Sequence, residues 1–141
     1  MTLIHATGVF LDGKGIVITG PSGAGKSDLA LRLMALGAEL IGDDYVEVAQ
    51  DRPGRLVMQT PKNIAGKIEV RHVGILEVAF RPAAEIDILL TLTVNTTSLE
   101  RLPLQKTQIL EGVPIPCLDF YAFEASAPEK LKAALKILLP E

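Results

Sequence analysis

Gly20-Pro21-Ser22-Gly23-Ala24-Gly25-Lys26-Ser27 reads G-x-x-x-x-G-K-S, the spacing of a phosphate-binding loop. Just before it, Gly15-Ile16-Val17-Ile18-Thr19 is a short β-branched run with the signature of a buried strand. Just after it, Asp28 to Leu36 is rich in strong helix formers, and Gly37 supplies a stop. Strand, glycine loop and helix are what anion binding at this spacing requires. Successive loop N–H groups form a nest, and the helix N-terminus adds partial positive charge. Lys26 is expected to project toward the outer phosphates, and the Ser27 hydroxyl suits Mg²⁺. The stretch predicts an α/β fold in which flanking helices cover a sheet that carries the loop.

Composition sets the frame around it. The 141 residues, almost half of them hydrophobic, suit a single domain over 1–141. No apolar run approaches the roughly 20 residues of a membrane span. Met1-Thr2-Leu3-Ile4-His5 has neither the basic start nor the cleavage site of a signal peptide. The lone Cys117 excludes an internal disulfide and suits a reducing cytoplasm. A net charge of −3 argues against nucleic acid as partner.

Leu3 to Leu11 reads as one strand, and Asp12-Gly13 as a hairpin turn into the loop-bearing strand. That hairpin would bring the imidazole of His5 near the phosphates. Ala38 to Gly42 reads as a strand ending in Asp43-Asp44, close to the loop-bearing strand. In parallel α/β sheets, ligands bind at the carboxyl ends of strands. One acid of the pair can hold Mg²⁺, and the other can take a proton from an attacking hydroxyl. An Asp-Asp turn without function is the plainer alternative.

Strands follow at 45–49 and 55–59, and 61–67 reads as irregular or a single helical turn. Ile68 to Leu76 reads as extended, with Glu69 and Arg71 on one face. Their spacing alone suggests a solvated ion pair, and His72 falls on the other face as a structural residue. Ile86 to Val94 is a strong strand signal, with Asp87 near its start and so misplaced for metal binding. Pro114 and Pro116 argue against a central ladder position for 113–118. Ser126-Ala127-Pro128-Glu129 opens an amphipathic helix through Leu139, whose leucines are assigned to the core.

Ile4-His5, the glycine loop, Ile41-Gly42-Asp43-Asp44, Ile68-Glu69-Val70-Arg71 and Glu100-Arg101-Leu102 occur in that order between residue 4 and about 116. The series resembles the catalytic domain of HPr kinase/phosphorylase, in a short form without that family's N-terminal domain. The resemblance implies a cytoplasmic, ATP-dependent protein serine kinase using Mg²⁺. Its target would be a serine of HPr, a small phosphocarrier protein, and its reverse reaction the phosphorolysis of seryl-phosphate. It also implies a hexamer and a core similar to that of phosphoenolpyruvate carboxykinase. His5, Lys26 and Arg101 match active-site residues. Asp44 matches the proton acceptor with Asp43 beside it as a metal candidate, and Ser27 and Glu69 match the Mg²⁺ ligands.

Two departures qualify the resemblance. The family's Glu-Ile-Arg-Gly appears as Glu69-Val70-Arg71-His72, with a bulky residue in place of glycine. A proline- and arginine-rich segment associated with the reverse reaction is replaced by Leu118-Asp119-Phe120-Tyr121-Ala122-Phe123, which has no Arg and offers Asp119 as a repulsive charge. The expectation is a kinase first and a weak phosphorylase. Two rivals are a small-molecule kinase and a nucleotide-binding regulatory module without catalysis. The first usually carries an arginine-rich mobile lid that has no counterpart here. The second would be expected to lose the chemistry-bearing residues that this chain keeps.

Overall fold

Three layers build the protein, seen in a computed structural model that describes residues 1–140. A six-stranded mixed sheet lies in the middle, two helices cover one face, and a four-stranded antiparallel sheet covers the other. The central sheet contains β2 (Thr7–Leu11), β3 (Lys14–Thr19), β4 (Glu39–Gly42), β10 (Ile88–Leu92), β11 (Lys106–Leu110) and β12 (Val113–Phe120), in the order β11-β12-β10-β3-β2-β4. The second sheet contains β1 (Thr2–His5), β5 (Tyr45–Arg52), β6 (Arg55–Gln59) and β9 (Ala83–Glu85), in the order β1-β5-β6-β9. The helices are α1 (Lys26–Met34) and α2 (Ala127–Leu138), and β7 (Lys67–Val70) pairs with β8 (Gly74–Glu77) as a separate hairpin.

Alternation along β3 shows why the layers form. Ile16 and Ile18 pack with Leu29 and Leu33 of α1 and Leu131 and Leu135 of α2. Val17 points the other way, into a cluster with Val46, Val48, Leu56 and Met58 of the second sheet. A strand covered on both faces reads as a continuous apolar run. Each side chain so buried stabilises the fold by roughly 1.5–3 kcal/mol. The leucines of α2 are core residues, as the sequence predicts. Gly15 marks the place where the sheets meet. A Cβ there would stand 1.8 Å from the Glu85 carbonyl oxygen, so no larger residue fits.

Asp12 and Gly13 both have positive φ, 52° and 79°, the two-residue turn expected between β2 and β3. Gly37 ends the first helix as predicted. With φ 101° it lets its own N–H bond Met34 O and that of Ala38 bond Leu33 O, both at 3.1 Å, which satisfies the last carbonyls.

Two strand expectations change here, for residues 3–11 and for β12. Residues 3–11 are not one strand: β1 pairs with β5, and β2 pairs with β3 and β4, so the chain crosses between layers at Ala6, which is small and fully buried. β4 lies close to the loop-bearing strand, with β2 alone between it and β3. Being antiparallel to β2, β4 runs in the direction of β3 and ends at the same edge of the sheet. Finally, β12 is interior despite its prolines. Pro114 and Pro116 pair with β11 upstream of the Leu89–Cys117 position where β10 joins, so a proline nitrogen facing that open side breaks no ladder bond.

Candidate active site

The glycine loop emerges from β3 at the edge where the parallel strands β3 and β10 end, and α1 begins at Lys26. Gly25 is its N-cap with φ 96°, and its carbonyl accepts the first helical bond, from Leu29 N at 2.8 Å. A side chain at Gly25 would meet the Phe123 ring at 3.0 Å, so the loop is closed from outside by an aromatic residue. Arg32 of α1 fixes that contact. It donates to the carbonyls of Ala122, Glu124 and Ala125 at 2.6, 2.7 and 3.1 Å, which straps the segment after β12 to the loop helix.

Lys26 does not project freely. It is 9% exposed, and its Nζ donates to Gly20 O at 2.8 Å and Pro21 O at 3.2 Å. An ammonium group so largely removed from water needs such acceptors, and the loop's own carbonyls supply them. The lysine therefore straps the loop as well as presenting charge to it.

The paired carboxylates divide sharply. Asp43 is 8% exposed and fully engaged: Oδ1 accepts from Ser27 Oγ at 2.5 Å and Thr7 Oγ1 at 3.2 Å, and Oδ2 accepts from Glu69 N at 3.0 Å. Asp44 is exposed, adopts φ 71°, and meets His5 Nε2 at 2.6 Å. Aspartate tolerates the left-handed region better than most residues, and such outliers cluster at functional sites. His5 is held in turn by stacking on Tyr45, its register partner across β1 and β5, with ring centroids 5.1 Å apart. Thr7, fully buried, joins both acids: it donates to Asp43 and accepts from Asp44 N at 3.3 Å. Sequence reasoning passed over Thr7, because a threonine in a strand carries no signal until its neighbours are known.

A cavity of about 410 Å³ gathers His5, Lys26, Ser27, Asp44, Glu69, Arg71, His72 and Phe123, with the loop residues Ser22, Gly23 and Gly25. Most predicted site residues thus converge. Residues 67–77 are not one strand but the β7–β8 hairpin, turning through Arg71-His72-Val73 with Val73 N bonded to Val70 O at 2.9 Å. Glu69 and Arg71 consequently share no strand face. His72, assigned to structure from its position, instead lines the cavity. Arg101 is not brought there: it lies in the exposed segment between β10 and β11. Asp119 adds no repulsion at the cavity, since Lys106 pairs with it at 2.9 Å on the β11–β12 surface.

Fit to a divalent cation can be read from the donors. The Ser27 hydroxyl gives its proton to Asp43, so its lone pairs are free, and the Glu69 carboxylate lines the same cavity. Hard oxygen donors in small number are what Mg²⁺ takes from a protein when phosphate and water complete its shell. Asp43 stands behind Ser27 rather than in the cavity wall. Among the described residues, no group of three or more His, Cys, Asp or Glu side chains is placed to hold a metal without such help.

The structure defines an α/β protein with a mixed central sheet, two helices and a glycine loop at the ends of parallel strands. The chain belongs to the family described as the HPr serine kinase C-terminal domain, whose model matches residues 1–120. A protein called HPr kinase/phosphorylase from Bordetella pertussis is 39% identical over 126 residues, covering 81% of this chain and 40% of that protein. One of the same name from Clostridium beijerinckii is 44% identical over 77 residues, covering 55% and 25%. The chain therefore spans 40% or less of the length of these relatives. The solved structure of the HPr(Ser) kinase/phosphatase from Coxiella burnetii shares the fold, with a TM-score of 0.86 over 98% of this chain and 96% of that one, at 24% identity.

Proposed function

We propose that the chain is an ATP-dependent serine kinase of an HPr-like phosphocarrier protein, acting in the cytoplasm as a homo-oligomer. Residues 20–27 serve as the phosphate-binding loop, on a core like that of phosphoenolpyruvate carboxykinase. One observation carries the reading: the exposed carboxylate of Asp44, held by His5, shares a cavity with Lys26 and Ser27, while Asp43 is saturated by its own donors.

In the proposed reaction, the acceptor serine places its hydroxyl against Asp44, which takes the proton as the serine oxygen bonds the γ-phosphorus. The bond from that phosphorus to the bridging oxygen breaks, and ADP leaves with the electron pair. Such transfer is mainly positioning and charge stabilisation. The loop N–H groups and Lys26 hold the nucleotide phosphates, Arg71 offsets charge from the hairpin, and His5 keeps Asp44 oriented. Mg²⁺, when bound at Ser27 and Glu69 with Asp43 behind them, would neutralise phosphate charge. Arg101 would act only by reaching a cavity from a second copy, as in the hexamer implied by the resemblance. The reverse reaction is proposed to be weak, since residues 118–123 bring no arginine to offset two phosphate charges.

Lys26→Ala tests the loop's role. Seryl transfer should fall by about 10²-fold or more, the usual loss for one transition-state donor. The melting temperature should drop modestly: the loop loses the strap from Nζ to Gly20 O and Pro21 O, but both core clusters stay intact. Wild-type transfer in the folded variant would remove the loop from the mechanism.

A further inference from the structure

We infer that His72 is a specificity-determining residue that contacts the phosphoryl acceptor; the inference rests on the kinase reading above. Four non-glycine residues have positive φ: Asp12, Asp44, His72 and Glu111. Asp12 and Glu111 open two-residue hairpins, each followed by glycine, where positive φ is the turn's requirement. Asp44 and His72 are the two that line the cavity. Histidine at φ 67° stands in a hydrogen-bonded turn, at the position where glycine would be free of strain. Retaining a strained side chain there is accounted for when the side chain itself makes a contact.

Its surroundings say which contact. No hydrogen bond, ion pair or ring contact within the chain occupies the His72 imidazole among the described residues. The residue belongs both to the cavity and to a shallower groove along the hairpin, from Glu69 to Ile75. Nucleotide phosphates held by the loop need only the cavity. The groove continues past it beside exposed Val73 and Ile75, 82% and 64% accessible, as an extended polypeptide flanking a serine would require. His72 stands where the two meet, placed to hydrogen-bond the acceptor chain next to its serine.

The test compares the wild-type chain with His72→Gly and His72→Ala, using the cognate HPr-like protein as acceptor. KM for the acceptor should rise about tenfold in both variants, the scale of one lost hydrogen bond in a partly polar site. The ATP dissociation constant, measured by titration without acceptor, should move less than twofold. His72→Gly should also melt higher than His72→Ala, because only glycine relieves the turn. An unchanged acceptor KM in both variants overturns the inference, as does a rise confined to His72→Gly or a loss that falls on ATP binding. A wild-type chain that does not phosphorylate the acceptor at all overturns the kinase reading and this inference with it.

Discussion

Asp43 and Asp44 are neighbours with opposite fates. The first is buried and accepts three hydrogen bonds, and the second is exposed with His5 at 2.6 Å. The sequence shows the pair, and its position after a strand suggests chemistry. Which acid is occupied and which stays exposed follows from Thr7, Ser27 and Glu69, three residues that meet Asp43 from different elements. Asp44→Asn should leave nucleotide binding intact and lower seryl transfer by roughly 10²–10⁴-fold, the usual range for a general base. Asp43→Asn should instead lower stability and loosen Ser27, since an amide cannot accept from all three donors. Thermal melts and single-turnover transfer separate the two outcomes. An active Asp44→Asn beside a folded but inactive Asp43→Asn would reverse the roles.

At the scale of elements, strand, loop and helix over 15–36 were legible because periodicity, glycine spacing and the helix stop agree. The break at Ala6 was not, since both halves of 3–11 are extended and nothing local says that they serve different sheets. The hairpin at 71–73 was hidden for a related reason: Arg71-His72-Val73 contains no turn-forming residue before Gly74. The seam between the sheets carries a testable charge cluster. Arg55 Nη2 donates to Glu85 Oε2 at 2.5 Å, with Arg52 at 3.3 Å from the other oxygen and Asp87 3.4 Å from Arg55. The hydrogen bond from Arg55 holds the Glu85 carboxyl below its ordinary value near 4.5, against the opposing effect of burial. A carboxyl lowered in the folded state stabilises it above the unfolded value, and that contribution disappears as pH falls through the folded one. Melting temperatures from pH 7 to pH 3 should therefore fall more steeply for wild type than for Glu85→Gln. Parallel curves would show that the pair contributes nothing to folding.

For the whole molecule, the layers bring residues from β1, the loop helix, the end of β4 and the β7–β8 hairpin to one cavity, although they span His5 to His72 in sequence. No helix among the described residues is long and apolar enough to cross a membrane. The hairpin's exposed Val73 and Ile75 line the groove beside the cavity, on the side assigned to the acceptor. Arg101 lies away from the cavity, so a chain acting alone would draw its hairpin charge from Arg71. The central claim is transfer of a phosphoryl group from nucleotide to a protein serine. The direct measurement incubates the purified chain with Mg²⁺, γ-labelled ATP and the cognate HPr-like protein, then locates the label by mass spectrometry. The account predicts label on one serine of the acceptor, with Asp44→Asn transferring at least about 10²-fold more slowly. Label released only as inorganic phosphate, or carried on histidine rather than serine, would contradict it.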